Sequence, residues 1–267
     1  MQTKVEGIIL SKTPYQERHL ICRLLLRSGE KISAIFYGGQ GGGKKKKSSF
    51  LEVGHLIKVE ITRAKKNAQI YSIKEWSLVW HHDAIRMNHK AFYLLCFFLE
   101  LSDKLVVEAD LFEGDYEKRL NDDSIFKVLS NGIFHLERRL SNGADCFDND
   151  LFLFLSKLLI QEGIFPERNN CVLSGEELGP ITRLVLLDEQ GGFADSSCVN
   201  IDMQDHRLSG EEARELWANL CFIGTIKYSQ IDELAKIENK TSMRLLDYLF
   251  YQVSFSKSDF KTIGLLF

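Results

Sequence analysis

Four consecutive lysines, Lys44–Lys47, follow a glycine-rich run and form the densest basic cluster of this 267-residue chain. The stretch reads Tyr37, GGQGGG, the four lysines, two serines and Phe50. Glycine gives the backbone conformational freedom, and adjacent ammonium groups repel one another unless they meet anions. The residue types and their order therefore predict a mobile loop that binds a phosphate backbone.

Two other interpretations of this stretch stay open. From Gly38 to Lys44 the sequence fits the GxxxxGK part of a P-loop, but Lys45 stands where that motif needs a Ser or Thr to hold magnesium. The stretch also fits a solvated linker without a ligand, because charged runs on loops are commonly hydrated. Binding that depends on ATP would favour the first alternative, and an absence of binding would favour the second.

Basic and aromatic residues near the predicted strand ends extend the candidate site. Tyr37 and Tyr71 have the ring faces on which bases stack, although packing in the core or on the surface is the favoured interpretation for each tyrosine taken alone. We predict that nucleic acid contacts Lys44, Lys45, Lys46, Lys47, Arg27, Lys31, Tyr37, Arg63, Lys65 and Lys66.

The charge is divided unevenly along the chain. Residues 1–80 carry 15 Lys and Arg against 6 Asp and Glu, a net charge of +9. Residues 81–267 carry the remaining 19 against 31, a net charge of −12. A basic first third favours a polyanionic partner, and an acidic remainder disfavours nucleic acid over most of its surface.

Short apolar segments separated by turns predict five strands in the first 80 residues. A closed or half-closed barrel is the usual solution for strands of this number and length, and the OB-fold is the five-stranded form. The predicted strands are residues 4–11, 19–27, 31–37, 55–63 and 69–76.

Helical spacing of apolar residues replaces the strand pattern beyond residue 83. Ser209 with Glu212 forms a capping box before one of these helices. The predicted helices cover residues 89–107, 123–140, 151–160, 209–223 and 241–255. The chain is therefore predicted to be an α+β protein, with a barrel domain at 1–80 and a helical domain at 81–267 that contains an irregular insertion at about 165–208.

The six cysteines are scattered, and the N-terminus MQTKVEGIIL lacks the long apolar region of a signal peptide. Reduced thiols in the cytoplasm are the expectation. The longest apolar run, Ala91–Leu99, is too short to cross a bilayer, so no membrane partner is expected.

One histidine cluster resembles acid–base machinery. His81, His82 and Asp83 are consecutive, but no second motif accompanies them, and they fall at the predicted domain junction. A solvated turn is the favoured interpretation, with a catalytic or metal-binding role as the alternative. The sequence predicts no enzymatic turnover and no cofactor.

The order of these features resembles that of the RecO family of bacterial recombination mediators. The similar segments are Glu6–Leu10 followed by Pro14–Glu17, Gly29–Ala34, Gly163–Pro166 before Cys171, and Arg244–Leu249. They span nearly the whole chain, and the glycine–lysine stretch occupies the position of the basic loop of the family. The resemblance implies an N-terminal OB-fold, a helical domain and a zinc-ribbon-like insertion.

The resemblance also implies a function and partners. Proteins of the RecO family bind single- and double-stranded DNA, anneal complementary strands, and help load RecA onto DNA coated with single-stranded DNA-binding protein. The expected partners are therefore DNA, RecR, the C-terminal tail of single-stranded DNA-binding protein and, indirectly, RecA, in the bacterial cytoplasm at the nucleoid. The alternative is a protein-interaction adaptor whose barrel binds protein rather than DNA, because the fold alone does not decide function.

The zinc motif of the family is incomplete in this chain. Many members carry CxxC twice around the insertion, whereas here the pairs read Cys171-Val-Leu-Ser174 and Asp195-Ser-Ser-Cys198. Half of the thiolates are missing, and serine is a poor zinc ligand. We therefore expect a metal-free remnant at Cys171, Ser174, Asp195 and Cys198. His206 as a replacement ligand, and a disulfide between the two cysteines, are less favoured alternatives.

Overall fold

The computed structural model describes residues 2–39, 50–62, 70–109, 111, 124–199, 207–223, 226–233 and 235–266. The strands within these ranges are β1 Gln2–Tyr15, β2 His19–Leu26, β3 Lys31–Phe36, β4 Leu56–Thr62, β5 Ile70–Trp80, β6 Leu184–Leu187, β7 Gly192–Asp195 and β8 Arg207–Ser209. The α-helices are α1 Ala84–Met87, α2 His89–Leu105, α3 Ile125–Ser141, α4 Asp148–Gln161, α5 Glu211–Ile223 and α6 Asn239–Gln252.

The first five strands close into a barrel in the order β1-β2-β3-β5-β4. All neighbours are antiparallel except β3 and β5, which are parallel. The long β1 closes the barrel, because its first half pairs with β4 and its second half pairs with β2. A register shift lies between Ile9 and Ser11. This is the order of strands in an OB-fold, and it confirms the predicted barrel followed by helices.

Alternation along the strands fills the barrel. In β4 the side chains of Ile57, Val59 and Ile61 are buried, whereas Lys58 points to solvent. The same two-residue period places Leu24, Ile32 and other apolar residues in one cluster inside the barrel. Burial of a large aliphatic side chain contributes about 1.5–3 kcal/mol, so this cluster is the main stabilising feature of the barrel.

A carboxylate from α3 caps the short helix that follows the barrel. The Glu137 side chain accepts hydrogen bonds from the backbone N–H groups of Asp83, Ala84 and Ile85, at 2.9, 2.8 and 2.9 Å. The first N–H groups of a helix have no partner within the helix, and a carboxylate satisfies them well. A tertiary contact thus stabilises α1, which the sequence did not predict.

The predicted insertion contains a small sheet, with β6 between β7 and β8. The turn after β6 is fixed to α6, because Arg244 donates to both carboxylate oxygens of Asp188 at 2.7 and 2.8 Å. Ser209 ends β8, and α5 begins at Glu211 rather than at Ser209. Gly210 makes the change of direction with a left-handed φ of 73°.

By contacts between residues, the chain divides into two compact units, Met1–Ala144 with Phe260–Phe267 and Asp145–Asp259. The first unit holds the barrel together with α1–α3, because α2 packs against β1 and α3 against α1 and α2. This division lies away from residue 80, and a separate domain at 1–80 stays a prediction. None of the described helices is long and apolar enough to span a membrane.

Candidate nucleic-acid interface

Seven of the predicted contact residues lie outside the described part of the chain. These are Lys44, Lys45, Lys46, Lys47, Arg63, Lys65 and Lys66. These residues belong to two segments, 40–49 and 63–69, and the structure describes the points at which each segment joins the barrel. One segment follows the end of β3 and returns at Phe50, and the other connects Thr62 of β4 with Ile70 of β5.

Tyr37 stands at the start of the lysine segment and exposes 61% of its surface. Its ring meets the ring of His19 edge to face, with 5.0 Å between centroids. The Gly38 backbone N–H donates to His19 Nδ1 at 3.1 Å. Gly38 has a φ of 72°, which favours glycine, and this turn directs the chain away from β3. The exposed ring is therefore held at the base of the lysine segment.

The turn between β1 and β2 lies beside Tyr37. Tyr15 pairs with His19 across this turn, and both Tyr15 and Arg18 are exposed. The two sites are neighbours because Leu20, at the start of β2, pairs with Phe36 at the end of β3. An aromatic ring and a cation thus stand next to the exit of the lysine segment.

Sequence reasoning did not single out Tyr15, Arg18 or His19. The signal was present in the predicted order of strands, because antiparallel pairing of β2 with β3 brings the β1–β2 turn to the end of β3. That consequence requires the register, which sequence periodicity does not supply for one strand against another.

Arg27 is placed on the barrel surface but its charge is compensated. Its Nε donates to the Glu6 carboxylate at 2.8 Å, and its guanidinium lies over the Phe126 ring at 5.3 Å. Burial tends to raise the pKa of Glu6, but its bonds and charges with Arg27 and Lys58 lower it overall. About half of the Arg27 side chain is exposed, so its guanidinium is accessible to a phosphate group. That phosphate would compete with the Glu6 carboxylate for the same cation.

Lys31 is a correction to the predicted site, because the structure places it inside the protein at 8% exposure. Its Nζ lies 3.3 Å from Asp103 Oδ1 and also donates to the Asp103 backbone carbonyl. Its backbone bonds to Val107 and Ala109 fix the same segment against β3. The ammonium is occupied by this ion pair, and contact with DNA would require breaking it.

Tyr71 is also buried, which fits the packing alternative rather than base stacking. Its hydroxyl donates to the Ala109 carbonyl at 3.3 Å and accepts from the Leu111 N–H at 3.2 Å. Both hydrogen bonds are needed because a buried phenol without partners is costly. Tyr71 thus fixes the chain after α2 to the barrel.

Acidic side chains pair with further cations of the described barrel surface. The pairs include Lys4 with Glu60 (3.6 Å), Lys58 with Glu6 (3.5 Å), Lys74 with Glu60 (3.5 Å) and Arg23 with Asp103 (2.7 Å). By contrast, residues 40–49 and 63–69 hold seven of the 15 Lys and Arg of residues 1–80 and no Asp or Glu. Most of the excess positive charge of the barrel region belongs to these two segments.

Two positions of the incomplete zinc motif approach the Cys171 thiol through their backbone. Cys171 Sγ accepts the backbone N–H groups of Ser174 and Asp195, both at 3.4 Å. The Asp195 carboxylate accepts from the N–H and hydroxyl of Ser197, each at 2.8 Å, and that hydroxyl lies 3.9 Å from Cys198 Sγ. Burial tends to raise the pKa of Cys171, but a hydrogen bond from the Ser174 side chain and those from backbone N–H groups lower it overall to about 7.

The described residues contain no group of three or more His, Cys, Asp or Glu side chains able to hold a metal ion. His206 lies outside these residues. The arrangement around Cys171 resembles a binding loop in its donated N–H groups, but Ser174 and Asp195 do not supply thiolates. The zinc-ribbon identity of this segment stays a prediction.

Comparison with known proteins finds similarity to one family. Residues 1–81 match the family described as Recombination protein O N terminal. The chain is 25% identical to DNA repair protein RecO of Bacillus pumilus (strain SAFR-032) over 255 residues, covering 95% of this chain and 90% of that protein. It is 26% identical to the protein of the same name from Bacillus velezensis, covering 94% and 89%. It is 24% identical to that of Chlorobium phaeobacteroides (strain BS1), covering 76% and 69%.

Proposed function

We propose that this chain, whose resemblance to the RecO family is confirmed by these matches, acts in DNA repair and recombination as a non-enzymatic mediator. In this role it binds single- and double-stranded DNA and anneals complementary strands. The observation that carries the proposal is similarity to proteins named DNA repair protein RecO over most of the chain, with a barrel whose excess positive charge lies in two segments.

The proposed interface consists of the lysine segment, the 63–69 segment and the exposed residues beside them. The lysines bind phosphates and release counterions, so binding weakens as salt rises. Tyr37 and Tyr15 offer ring faces to unstacked bases. Contacts to the backbone alone leave base edges free to pair, which is what annealing of a second strand requires.

The partners of the proposed role follow from the family. We propose that the chain works with RecR, engages the C-terminal tail of single-stranded DNA-binding protein, and thereby helps RecA onto DNA indirectly. Annealing needs no ATP, because duplex formation is downhill. The bacterial cytoplasm, at the nucleoid, is the location that this role implies.

One observation favours the alternative, a protein-interaction adaptor. The cations of the described barrel surface named above stand in ion pairs with Glu6, Glu60 and Asp103, so that surface offers little uncompensated charge to DNA. A barrel that binds protein would show no salt-dependent binding of nucleic acid. The two functions are therefore separable by one titration.

The test is fluorescence anisotropy of a labelled DNA single strand at several salt concentrations without nucleotide. Wild type is compared with the Lys44–Lys47→Ala variant. If each lysine neutralises about one phosphate, the log–log salt slope of the variant is shallower by roughly 3, at about 0.7 per contact. The matched control removes four exposed lysines elsewhere, Lys127, Lys236, Lys240 and Lys257, and its slope should equal that of wild type.

Three outcomes decide between the proposals. A shallower slope in the first variant alone supports the mediator with the lysine segment as its phosphate site. Equal slopes in wild type and both variants move the DNA site to other residues. Absence of binding by wild type at low salt supports the adaptor instead.

A further inference from the structure

Three histidines meet where the lysine segment rejoins the barrel. His55 and His82 are each 1% exposed, and their ring centroids lie 4.8 Å apart. The ring of His81, which is more exposed, lies 5.9 Å from that of His55. The solvated turn predicted for His81 and His82 is therefore wrong for His82, which is packed inside the first compact unit.

Both buried histidines donate to the short segment 50–55. His55 Nδ1 lies 2.9 Å from the Phe50 carbonyl oxygen, and His82 Nε2 lies 2.9 Å from that of Val53. A carbonyl only accepts, so each of these nitrogens carries the proton. Phe50 is the first described residue after the lysine segment, so the two imidazoles anchor the point at which that segment returns.

The same segment is joined to β1 by its backbone. The Gly54 N–H donates to the Ile9 carbonyl at 2.8 Å, and the Ile9 N–H donates to the His55 carbonyl at 3.0 Å. Gly54 has a φ of 81°, and a Cβ there would lie 3.1 Å from His82 Nε2. The imidazole of His82 is thus packed tightly against this turn, and the ion pair of Lys12 with Glu52 provides a further link to β1.

The second nitrogen of each ring, His55 Nε2 and His82 Nδ1, has no hydrogen-bond partner among the described residues. Protonation would place an N–H on each of these buried, unpartnered positions, and two adjacent imidazolium ions would repel each other. Both effects favour the neutral rings. A proton taken up by either ring therefore weakens the packing that holds the segment.

The charged groups around the pair offset little of this cost. The residues that follow β5 contribute His81, Asp83 and Arg86, of which Arg86 opposes protonation and Asp83 favours it. Helix α3 contributes Glu137, which favours protonation of His82, although its carboxylate also accepts the backbone N–H groups at the N-terminus of α1. Helix α2 contributes the apolar Leu95, which packs close to Gly54. Burial is accordingly the main reason that the pKa values of both histidines are lowered.

We propose that His55 and His82 form a pH-sensitive latch that holds segment 50–55 against β1 and opens when the imidazoles take up protons. The latch is closed above the open-state pKa of histidine, about 6.5, and loses stability as the pH falls below it. Its effect on DNA binding through the adjoining lysine segment rests on the proposed function. The latch itself is tested without DNA, so either proposal can fail alone.

The experiment is hydrogen exchange of the Ile9 and Gly54 amides in the full chain between about pH 7.5 and about pH 5.5, corrected for intrinsic exchange. Protection should fall below about pH 6.5 by roughly tenfold per pH unit for one histidine, and roughly a hundredfold for two. The double variant His55→Asn with His82→Gln keeps an amide donor near each carbonyl but does not titrate. Its protection should stay level over the same range.

The control variant is His89→Gln, which removes an exposed imidazole from the same compact unit and should retain the wild-type response. If the double variant does not fold, NMR of the histidine rings in wild type still tests the latch. The rings should show the Nδ1–H tautomer for His55 and the Nε2–H tautomer for His82, with titration coupled to loss of protection.

Level protection in wild type across the range would overturn the latch, and so would an equal fall in the double variant. The latch would also be overturned if either imidazole titrated with the usual pKa of histidine while the protection of the Ile9 and Gly54 amides stayed unchanged. An increase in protection on adding Zn²⁺ at neutral pH, abolished in the double variant, would also overturn it, because the pair would then be a metal site rather than a proton site.

Discussion

At the scale of single residues, the same type of side chain serves opposite purposes in this protein. Lys31 and the four lysines of Lys44–Lys47 were assigned one role from the sequence, because all of them lie near strand ends in a basic region. The structure encloses Lys31 beside Asp103. Identity and position along the chain do not distinguish an enclosed ammonium from an exposed one, whereas the tertiary environment does.

The placement of Lys31 gives a prediction that separates stability from DNA binding. Lys31→Met should lower the free energy of unfolding by about 1–3 kcal/mol, because Asp103 loses a charged partner at a poorly solvated position. Its affinity for single-stranded DNA and its salt slope should stay those of wild type. Urea denaturation and anisotropy measure the two quantities.

Lys74→Met is the matched control for this change. Lys74 is exposed and pairs with Glu60 at 3.5 Å, so its loss should change the free energy of unfolding by less than about 1 kcal/mol. If Lys31→Met has normal stability but binds DNA more weakly than wild type, this prediction is wrong and Lys31 contributes to the DNA interface.

At the scale of elements, the segment around Cys171 keeps the geometry of a binding loop with half of the thiolates. Backbone N–H groups of Ser174 and Asp195 both approach Cys171 Sγ, and Ser197 connects Asp195 with Cys198. Contacts thus join Cys171 to the backbone of Ser174 and Asp195, and Ser197 joins Asp195 to Cys198, at the end of β7 and in the turn after Cys171. Packing of Val185 and Leu187 then stabilises the segment.

These contacts predict that thiolates at Ser174 and Asp195 would complete a zinc site. The double variant Ser174→Cys with Asp195→Cys should bind Zn²⁺ in a one-to-one ratio, and a chelator should lower its thermal midpoint by at least about 5 °C. Wild type should contain no stoichiometric zinc and keep its midpoint on chelator treatment. Metal analysis and thermal unfolding measure both proteins.

Either of two results would contradict this interpretation. Wild type that loses stability with the chelator would mean that a residue outside the described ranges completes a zinc site. A double variant that folds but does not bind Zn²⁺ would mean that the four side chains lie too far apart to coordinate one metal ion.

At the scale of the whole molecule, one carboxylate joins the two chain segments that form the first compact unit. Glu100 of α2 accepts the backbone N–H groups of Lys261 and Thr262, at 3.0 and 2.9 Å, and the Thr262 hydroxyl at 2.6 Å. Burial tends to raise the pKa of Glu100, but these hydrogen bonds lower it overall. The C-terminal residues therefore return to the unit that contains the barrel.

The lowered pKa of Glu100 gives this contact a pH dependence. A carboxyl whose pKa is depressed by folding contributes stability above its unfolded value, about 4.3, and that contribution is lost as the pH falls through the folded pKa. Hydrogen-exchange protection of the Lys261 and Thr262 amides should therefore fall in acid. Glu100→Gln should reduce this protection at neutral pH by about 1 kcal/mol, since the position is partly exposed, and should remove the acid dependence.

Glu75→Gln provides the comparison, because it removes an exposed carboxylate of β5 elsewhere in the same unit. Its C-terminal amides should follow the wild-type profile. Acid-insensitive protection of the Lys261 and Thr262 amides in wild type would show that packing of the Phe260 ring against Phe97 of α2, with 6.1 Å between centroids, holds the end of the chain rather than Glu100.

The sequence by itself determined the strands of the barrel, the long helices and the class of fold. Strands have a two-residue period and helices a period near 3.6, so β4, α2 and α6 were predicted within a few residues of their observed bounds. It also located the excess positive charge, because net charge depends only on composition. The order of its motifs also indicated a resemblance to the RecO family, because motifs and their order are properties of the linear sequence.

Only the tertiary structure decided which side chains stand together and which are enclosed. The register of β2 against β3 brings the turn with Tyr15 and Arg18 beside the end of β3, and closure of the barrel encloses Tyr71. Helix α2 and the residues after it bury Lys31, and His82 is buried against segment 50–55. Burial and proximity depend on contacts between residues far apart in the chain. Local propensity does not contain that information. The contact between His55 and His82 and the hydrogen bonds accepted by Glu137 and Glu100 were therefore found only in the tertiary structure.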